Sequence, residues 1–95
     1  MVNYKLSNTA KEDLIRIHQF GVERFGIPQA EKYFDEFFKY FDKIAFNPLA
    51  FEAVNHIRIG YRKCPCGSDT TFYRITQDEV EIMSIIGQQD FNMKL

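Results

Sequence analysis

The sequence contains no tryptophan, two cysteines and two histidines, and its 12 lysines and arginines are offset by 13 acidic residues. The resulting net charge of −1 disfavours a protein whose affinity comes mainly from neutralising phosphates, since such proteins carry a basic excess. No apolar run approaches the roughly 20 residues that cross a bilayer, and the N-terminus lacks the apolar segment of a secretory signal. We therefore expect a cytoplasmic protein without membrane contact, whose cysteines are thiols rather than a bridge.

The rest of the composition is typical of one small globular domain. The 95 residues are 45% hydrophobic and 16% aromatic, with ten phenylalanines, which is enough for a core without disulfide or metal staples. The sequence has no repeat, linker or low-complexity stretch. We expect a single domain over residues 1–95.

A short strand and a first helix are predicted at the N-terminus. Residues 2–6 alternate in polarity and contain Val and Tyr, which favours a strand. Ser7 can then cap a helix, and Thr9 with Glu12 offers a capping box as an alternative start. The helical spacing of apolar residues continues until Gly26, which ends the helix.

A second helix carries a wide apolar stripe. Pro28 fits its first turn, where the missing N–H costs little, and Asn47 before Pro48 ends it, because a residue before proline avoids helical angles. The stripe covers roughly 160° of arc at about 100° per residue, which suits a helix that touches both a partner helix and a sheet. Its members are Ala30, Tyr33, Phe34, Phe37, Phe38, Tyr40, Phe41, Ile44 and Ala45.

The C-terminal half changes to a period of two, which predicts strands. Ile57, Ile59 and Tyr61 alternate with their neighbours, and further strands are predicted over residues 70–76 and 80–86, with turns at PCGSD and TQDE. The order predicts an α+β fold: an N-terminal strand, a helical hairpin, then three antiparallel strands forming a sheet packed on the helices. The first strand would join beside one of the later three.

Cys64 and Cys66 are separated by one residue, so a strand would place both side chains on one face. Zinc needs four nitrogen or sulfur ligands, and the only others of that type are His18 and His56. A redox C-x-x-C is absent, and a bridge between residues i and i+2 would be strained. We therefore expect no metal and no cofactor, with one thiol packed and the other at a hairpin tip.

The segment RIGYRKCPCGSDTTFYRI, residues 58–75, is locally basic. Its four basic side chains, Arg58, Arg62, Lys63 and Arg74, accompany a single acid, Asp69. Arg58 and Arg62 are expected on one face of a strand. The charge favours a docking patch for an acidic or phosphate-bearing partner, although charges on an edge strand also prevent aggregation.

The sequence offers little for catalysis. Metal-free RNA cleavage needs a base, an acid and cations that stabilise the phosphorane, and arginines supply only the cations. His56 is the titratable candidate nearest the basic segment, and the closing SIIGQQDF adds only Asp90. We therefore predict a binding protein with no catalytic residues, not an enzyme.

Five motifs follow one another along nearly the whole chain: YKLSNTAKEDLIRI, FGIPQAEKYF, NPLAF, RIGYRKC with GSDTTFYRI, and IMSIIGQQD. Their order and spacing resemble the ParE toxins of the RelE/ParE superfamily, the toxic half of type II toxin–antitoxin pairs. Many relatives carry His where this chain has Asp69 and Gly87. The similar RelE branch, which cleaves mRNA, relies on basic and Tyr side chains where this chain has Gln88, Gln89 and Phe91.

The resemblance implies a toxin that inhibits DNA gyrase by protein–protein binding and stabilises the cleaved-DNA intermediate. It also implies a ParD-like antitoxin that neutralises the toxin in a hetero-oligomer, with DNA contacted only through the antitoxin or gyrase. The antitoxin's C-terminal segment would order itself on binding. Two alternatives stay open: a ribosome-dependent mRNA endonuclease of the RelE type, or a toxin fold with another target.

The residues suggest where such a partner would bind. A groove between helices and sheet would present aromatic side chains from the edge of the wide stripe, unless these simply form the core. The rim would be basic and would pair with acids of the partner. The predicted binding residues are Tyr33, Phe34, Phe38 and Phe41 in the groove, with Arg58, Arg62, Lys63 and Arg74 around it.

Overall fold

The computed structural model describes residues 3–87 and has an α+β architecture. The two helices are α1 (Asn8–Phe25) and α2 (Ile27–Phe46), followed by a 3-10 turn (Pro48–Ala50). The strands are β1 (Tyr4–Leu6), β2 (Glu52–Ala53), β3 (Tyr61–Cys66), β4 (Asp69–Ile75) and β5 (Val80–Gly87). The sheet order is β1-β5-β4-β3-β2, in which β1 pairs parallel with β5 and the other pairs are antiparallel. The predicted fold class is confirmed, and the unpredicted strand β2 makes five.

Local signals set the helix boundaries where the sequence predicted them. The Ser7 hydroxyl caps α1 by accepting the N–H of Ala10 at 3.0 Å, so Ser7 rather than Thr9 is the cap. Gly26, with a φ of 87°, separates the two helices. A Cβ on Gly21 would lie 3.2 Å from the Ala30 Cβ, so a small residue there lets α1 and α2 pack closely.

The helices cover one face of the sheet and form the main core with it. The core combines apolar side chains of α1 and α2 with alternate residues of β3, β4 and β5. Phe37 and Phe41 lie at its centre and are at most 1% exposed. Tyr73 is also fully buried, and its hydroxyl donates to the Pro48 carbonyl, which ties the 3-10 turn to β4. Burying these large aromatic side chains stabilises the helix–sheet packing by roughly 1.5–3 kcal/mol each.

The other face of the sheet has a smaller apolar cluster. Val54, Phe72 and Ile86 are buried there, with Ile57 and Tyr61 packed against them. Residues 54–60 cover this face as a series of turns, with Val54 accepting the N–H groups of Ile57 and Arg58. The prediction of a strand over residues 57–60 is therefore wrong. Ile57 packs against the cluster that contains Phe72, and strand pairing begins only at Tyr61.

Because β1 ends at Leu6, the rest of the outer edge of β5 has no neighbouring strand on that side among the described residues. Side chains of residues 7–16 contact its backbone groups instead. The Ser7 hydroxyl donates to the Met83 carbonyl at 2.8 Å, and the Asp13 carboxylate accepts the N–H of Ile85 at 2.9 Å. The Arg16 guanidinium lies 3.4 Å from the Ile85 carbonyl. The first helix thus anchors β5 by hydrogen bonds as well as by apolar contact. Within residues 3–87, neither helix is long and apolar enough to cross a bilayer.

Candidate protein-binding groove

An open groove of about 540 Å³ lies between the helical hairpin and the end of the sheet. Its helical walls include Ile17, Phe20 and Phe25 from α1 and Ala30 from α2. Phe20 is 52% exposed and Phe25 is 59% exposed. Large aromatic side chains left this accessible beside a concave surface are typical of a site that binds another protein.

One end of the groove is built by Tyr33 and the tip of the β3–β4 hairpin. The Tyr33 hydroxyl donates to the Asp69 Oδ2 at 2.7 Å, and accepts the Ser68 N–H at 3.2 Å. Burial and then the hydrogen bond to Asp69 raise the pKa of Tyr33, so the phenol keeps its proton at neutral pH. A Cβ on Gly67 would lie 2.9 Å from the Tyr33 ring. Glycine therefore allows both the turn, with a φ of 65°, and the close approach of the ring.

Two charged side chains give the groove polar contacts. Asp69 presents a carboxylate beside Tyr33, and Arg16 presents a guanidinium that is partly held by Asp13 at 3.4 Å. Arg16 keeps 42% of its side-chain surface exposed. Among the residues that the structure describes, the groove thus combines an apolar floor with one cation and one anion, which suits an amphipathic segment.

The four predicted aromatic residues have three different environments. Tyr33 lines the groove. Phe34 and Phe38 are half-buried and contact each other edge-on, with ring centroids 5.3 Å apart. Phe41 is fully buried in the core, so it is not available as a contact surface in the folded protein.

The four predicted basic residues lie away from the groove, on β3, β4 and the adjoining turn. Arg62 donates to the Phe51 carbonyl at 2.7 Å, and Lys63 lies 3.8 Å from Glu52. Arg74 forms two hydrogen bonds with Glu81, of 2.7 and 2.9 Å. These contacts anchor the charges along the sheet.

Arg58 differs from its predicted position because it lies in the turn before β3. Its guanidinium stands over the Tyr61 ring, 5.5 Å from the centroid, and Tyr61 pairs with Arg74 across the sheet. The expectation that Arg58 and Arg62 share a strand face is wrong. Arg58, Lys63 and Arg74 instead form a basic strip on the outer side of the sheet around Tyr61.

The sequence interpretation missed Arg16, Phe20 and Phe25 as groove residues. The apolar residues at helical spacing in α1 are Ala10, Leu14, Ile17, Gly21 and Phe25, and this stripe predicted no partner contact for Phe25. Phe20 falls outside that stripe, and an aromatic residue off the buried face of a helix was the available signal. Gln88, Gln89, Asp90 and Phe91 lie outside the described residues.

The cysteines share one face of β3, as predicted, but both are buried. Cys66 lies at the tip of the β3–β4 hairpin, as expected, where it pairs with Asp69, but its side chain is packed like that of Cys64: Pro65 points outward between them, and Cys66 turns toward the helices. His18 contacts Glu31 at 2.7 Å, between the two helices. No group of three or more His, Cys, Asp or Glu side chains converges in residues 3–87 in a way that could hold a metal ion.

Comparison with solved structures finds the same fold in a known protein. A solved chain from the "Chromosomal ParDE TA system from P. aeruginosa" superposes with a TM-score of 0.81 at 18% identity, covering 92% of this chain and 96% of that one. At that identity the likeness shows the fold.

Sequence comparison establishes the family. The family described as "ParE toxin of type II toxin-antitoxin system, parDE" matches residues 4–90. Toxin ParE1 of Mycobacterium tuberculosis (strain ATCC 25618 / H37Rv) is 37% identical over 87 residues, which are 90% of this chain and 89% of that protein. Toxin ParE1 of Caulobacter vibrioides is 36% identical over 88 residues, covering 93% and 91% respectively. The chain belongs to the ParE toxin family of type II toxin–antitoxin systems.

Proposed function

We propose that this protein inhibits DNA gyrase by binding to it in the cytoplasm, and that a ParD-like antitoxin neutralises it in a hetero-oligomer. Family membership supports the toxin role, and a solved structure with the same fold comes from a ParDE system. The exposed aromatic groove is the observation that carries the binding mechanism. In this proposal, contact with DNA is indirect and occurs through the antitoxin or gyrase.

The antitoxin segment is proposed to occupy the groove. Phe20 and Phe25 would bury apolar side chains of an amphipathic helix, and burying such surface drives association. A carboxylate of the antitoxin would pair with Arg16. A basic or amide side chain would contact the carboxylate of Asp69.

The basic strip is proposed as a second contact, for an acidic surface of either partner. Arg58, Lys63 and Arg74 stand around Tyr61 and keep donors available at the surface. Arg62 would act mainly by holding the Phe51 segment in place, since its guanidinium is bonded to that carbonyl. Phe34 and Phe38 would support the groove from behind.

Inhibition by binding rather than catalysis fits the chemistry of the described residues. Both histidines of the described region are separate from the groove: His18 is bonded to Glu31, and His56 is in an exposed turn. A proton-transfer pair needs both groups within hydrogen-bond reach of one substrate. The groove supplies Tyr33 and Asp69, but burial and Asp69 both raise the pKa of Tyr33, which opposes a role as a general base.

The proposal is tested by gyrase supercoiling assays with the purified toxin, with and without its neighbouring ParD-like protein. We expect less supercoiling and more cleaved DNA, with both effects relieved by the antitoxin. Ribosome-dependent mRNA cleavage would instead support the RelE-type alternative. Phe20→Glu should weaken antitoxin binding at least about tenfold, because it places a charge in an apolar contact. Phe46→Glu is the matched control, since Phe46 is 77% exposed and outside the groove.

A further inference from the structure

Cys64 and Cys66 form a thiol pair on the helix-facing side of β3. Both residues are at most 2% exposed and belong to the main core. The Cys66 Sγ lies 3.4 Å from the Cys64 carbonyl oxygen and 3.5 Å from the Thr71 Oγ1. Two oxidisable groups therefore lie side by side in a largely apolar layer.

A cavity of about 110 Å³ opens beside Cys66. Its walls are the aromatic rings of Tyr33, Phe37 and Tyr40, together with Glu36 and Gly67. A cavity of this size has room for molecules of about the size of water. Cys66 therefore borders a space that small oxidants can enter, while bulky thiol reagents are too large for it.

We propose that Cys66 is a modification site for hydroperoxides and that Cys64 is its resolving thiol. The role is independent of gyrase or antitoxin binding. A small peroxide would enter the cavity and oxidise Cys66. Cys64 would then react with the oxidised Cys66 to form an intramolecular disulfide.

The proposed oxidation has two steps. The Cys66 thiolate attacks one peroxide oxygen, the O–O bond breaks, and a sulfenic acid and hydroxide form. The Cys64 sulfur then attacks Cys66, the S–O bond breaks, and the departing hydroxide takes the proton of Cys64 as water. Two electrons pass from the thiol pair to the peroxide, which is the only oxidant required.

The hydrogen bonds of the pair favour this order of attack. A hydrogen bond from Cys64, assisted by Thr71, lowers the pKa of Cys66 against the effect of burial. The same hydrogen bond, together with burial, raises the pKa of Cys64. Since the thiolate is the nucleophile, Cys66 reacts first and Cys64 retains its proton for the second step.

The bridge would be strained and therefore easily reduced. Two residues of an extended strand span about 6.6 Å, which is near the upper end of the roughly 4.4–6.8 Å that usually separates Cα atoms joined by a disulfide. Closing the bridge at the commoner spacing of about 5.5–6 Å bends β3 at Pro65. Strained disulfides have higher reduction potentials than relaxed ones and open more readily, so the modification is reversible.

Bending at Cys66 would disturb the neighbouring hairpin tip. The Cys66 carbonyl lies 3.1 Å from the Tyr33 hydroxyl, which also accepts the Ser68 N–H. The Ser68 amide therefore reports on the change. Its NMR resonance should shift on oxidation and return on reduction.

The test treats the folded protein with hydrogen peroxide and measures intact mass, free thiols and the Ser68 resonance. We expect a loss of about 2 Da, reversed by dithiothreitol, with no disulfide-linked dimer. In Cys64→Ser, Cys66 should instead gain one oxygen, measured as an increase of about 16 Da in intact mass. Cys66→Ser should react much more slowly. Circular dichroism melts establish that each variant is folded, and Cys→Ala versions replace any that is not.

Several outcomes would overturn the proposal. Reaction only after denaturation would mean that the cavity gives no access. Equal reactivity of the two single variants would remove the assigned roles, and oxidation without loss of both thiols would remove the resolving step. A disulfide-linked dimer as the main product would show that the partner thiol belongs to another molecule.

Discussion

The Asp13 carboxylate accepts the backbone N–H of Ile85 at 2.9 Å, although both residues are buried and lie 72 positions apart. This contact substitutes for a neighbouring strand where β1 has ended. Asp13→Ala would leave that N–H without its partner, so we expect a loss of about 1–3 kcal/mol in the free energy of unfolding. Urea denaturation measures it. Asp35→Ala, at an exposed site on α2, should change stability far less, and equal effects would contradict the role of the contact.

Phe37 should be the most sensitive of the tested aromatic residues. It is 1% exposed and contacts Tyr33 and Phe41 within the core. Phe37→Ala should cost about 3–5 kcal/mol by leaving a cavity, which is enough to unfold much of a marginal domain. The comparison is Phe46→Ala, since Phe46 is 77% exposed. An unaltered melting temperature in Phe37→Ala would show that the core packs differently.

Replacing Gly67 by a larger residue should destabilise the protein for two separable reasons. Gly67→Ala adds a Cβ 2.9 Å from the Tyr33 ring at a φ of 65°, and we expect a loss of about 1–3 kcal/mol. In a Tyr33→Ala background the steric part disappears, and the cost should fall to the backbone part of about 1 kcal/mol. A double-mutant cycle of urea melts measures the difference. Strictly additive effects would show that the ring moves away freely.

Substitutions of Arg74 and Arg62 should distinguish a basic residue that contacts a partner from one that also stabilises the fold. Arg74 is bonded to Glu81 at the exposed surface, so Arg74→Ala should hardly change the melting temperature while weakening partner binding or toxicity. Arg62→Ala also breaks the hydrogen bond to Phe51 and should lower both binding and stability. Growth assays and thermal melts distinguish the two. Full toxicity in Arg74→Ala would remove the basic strip from the proposed interface.

Tyr73 should make the protein less stable in alkali. Burial raises its pKa from 10.0 to about 12, so between these values the unfolded chain loses the phenol proton first. The stabilising contribution is complete below pH 10 and is lost as pH rises toward 12, at up to about 1.4 kcal/mol per pH unit. Tyr73→Phe should show a weaker decline in urea melts over this range. Tyr33 and Tyr4, whose pKa values are also raised, contribute to the decline in the same direction.

The shape of the groove and the positions of the basic residues depend on features that the sequence only partly indicates. Aromatic residues at helical spacing predicted a wide apolar face on α2, and that face exists. Spacing could not divide it between core and surface, because Phe41 and Tyr33 differ only in what packs against them. The sequence predicted a locally basic segment. It could not predict that these basic side chains contact Phe51, Glu52 and Glu81, because those contacts depend on how the strands pair.

The sequence by itself determined the elements governed by local chemistry. Ser7, Gly26 and Pro28 act through their own hydrogen bonds and dihedral angles, so the helix limits follow from neighbouring residues. Only the tertiary structure decided that residues 57–60 turn over Phe72 instead of pairing as a strand, and that Phe20 stays exposed above a groove. These outcomes depend on contacts between distant segments, whose packing free energy outweighs local preference.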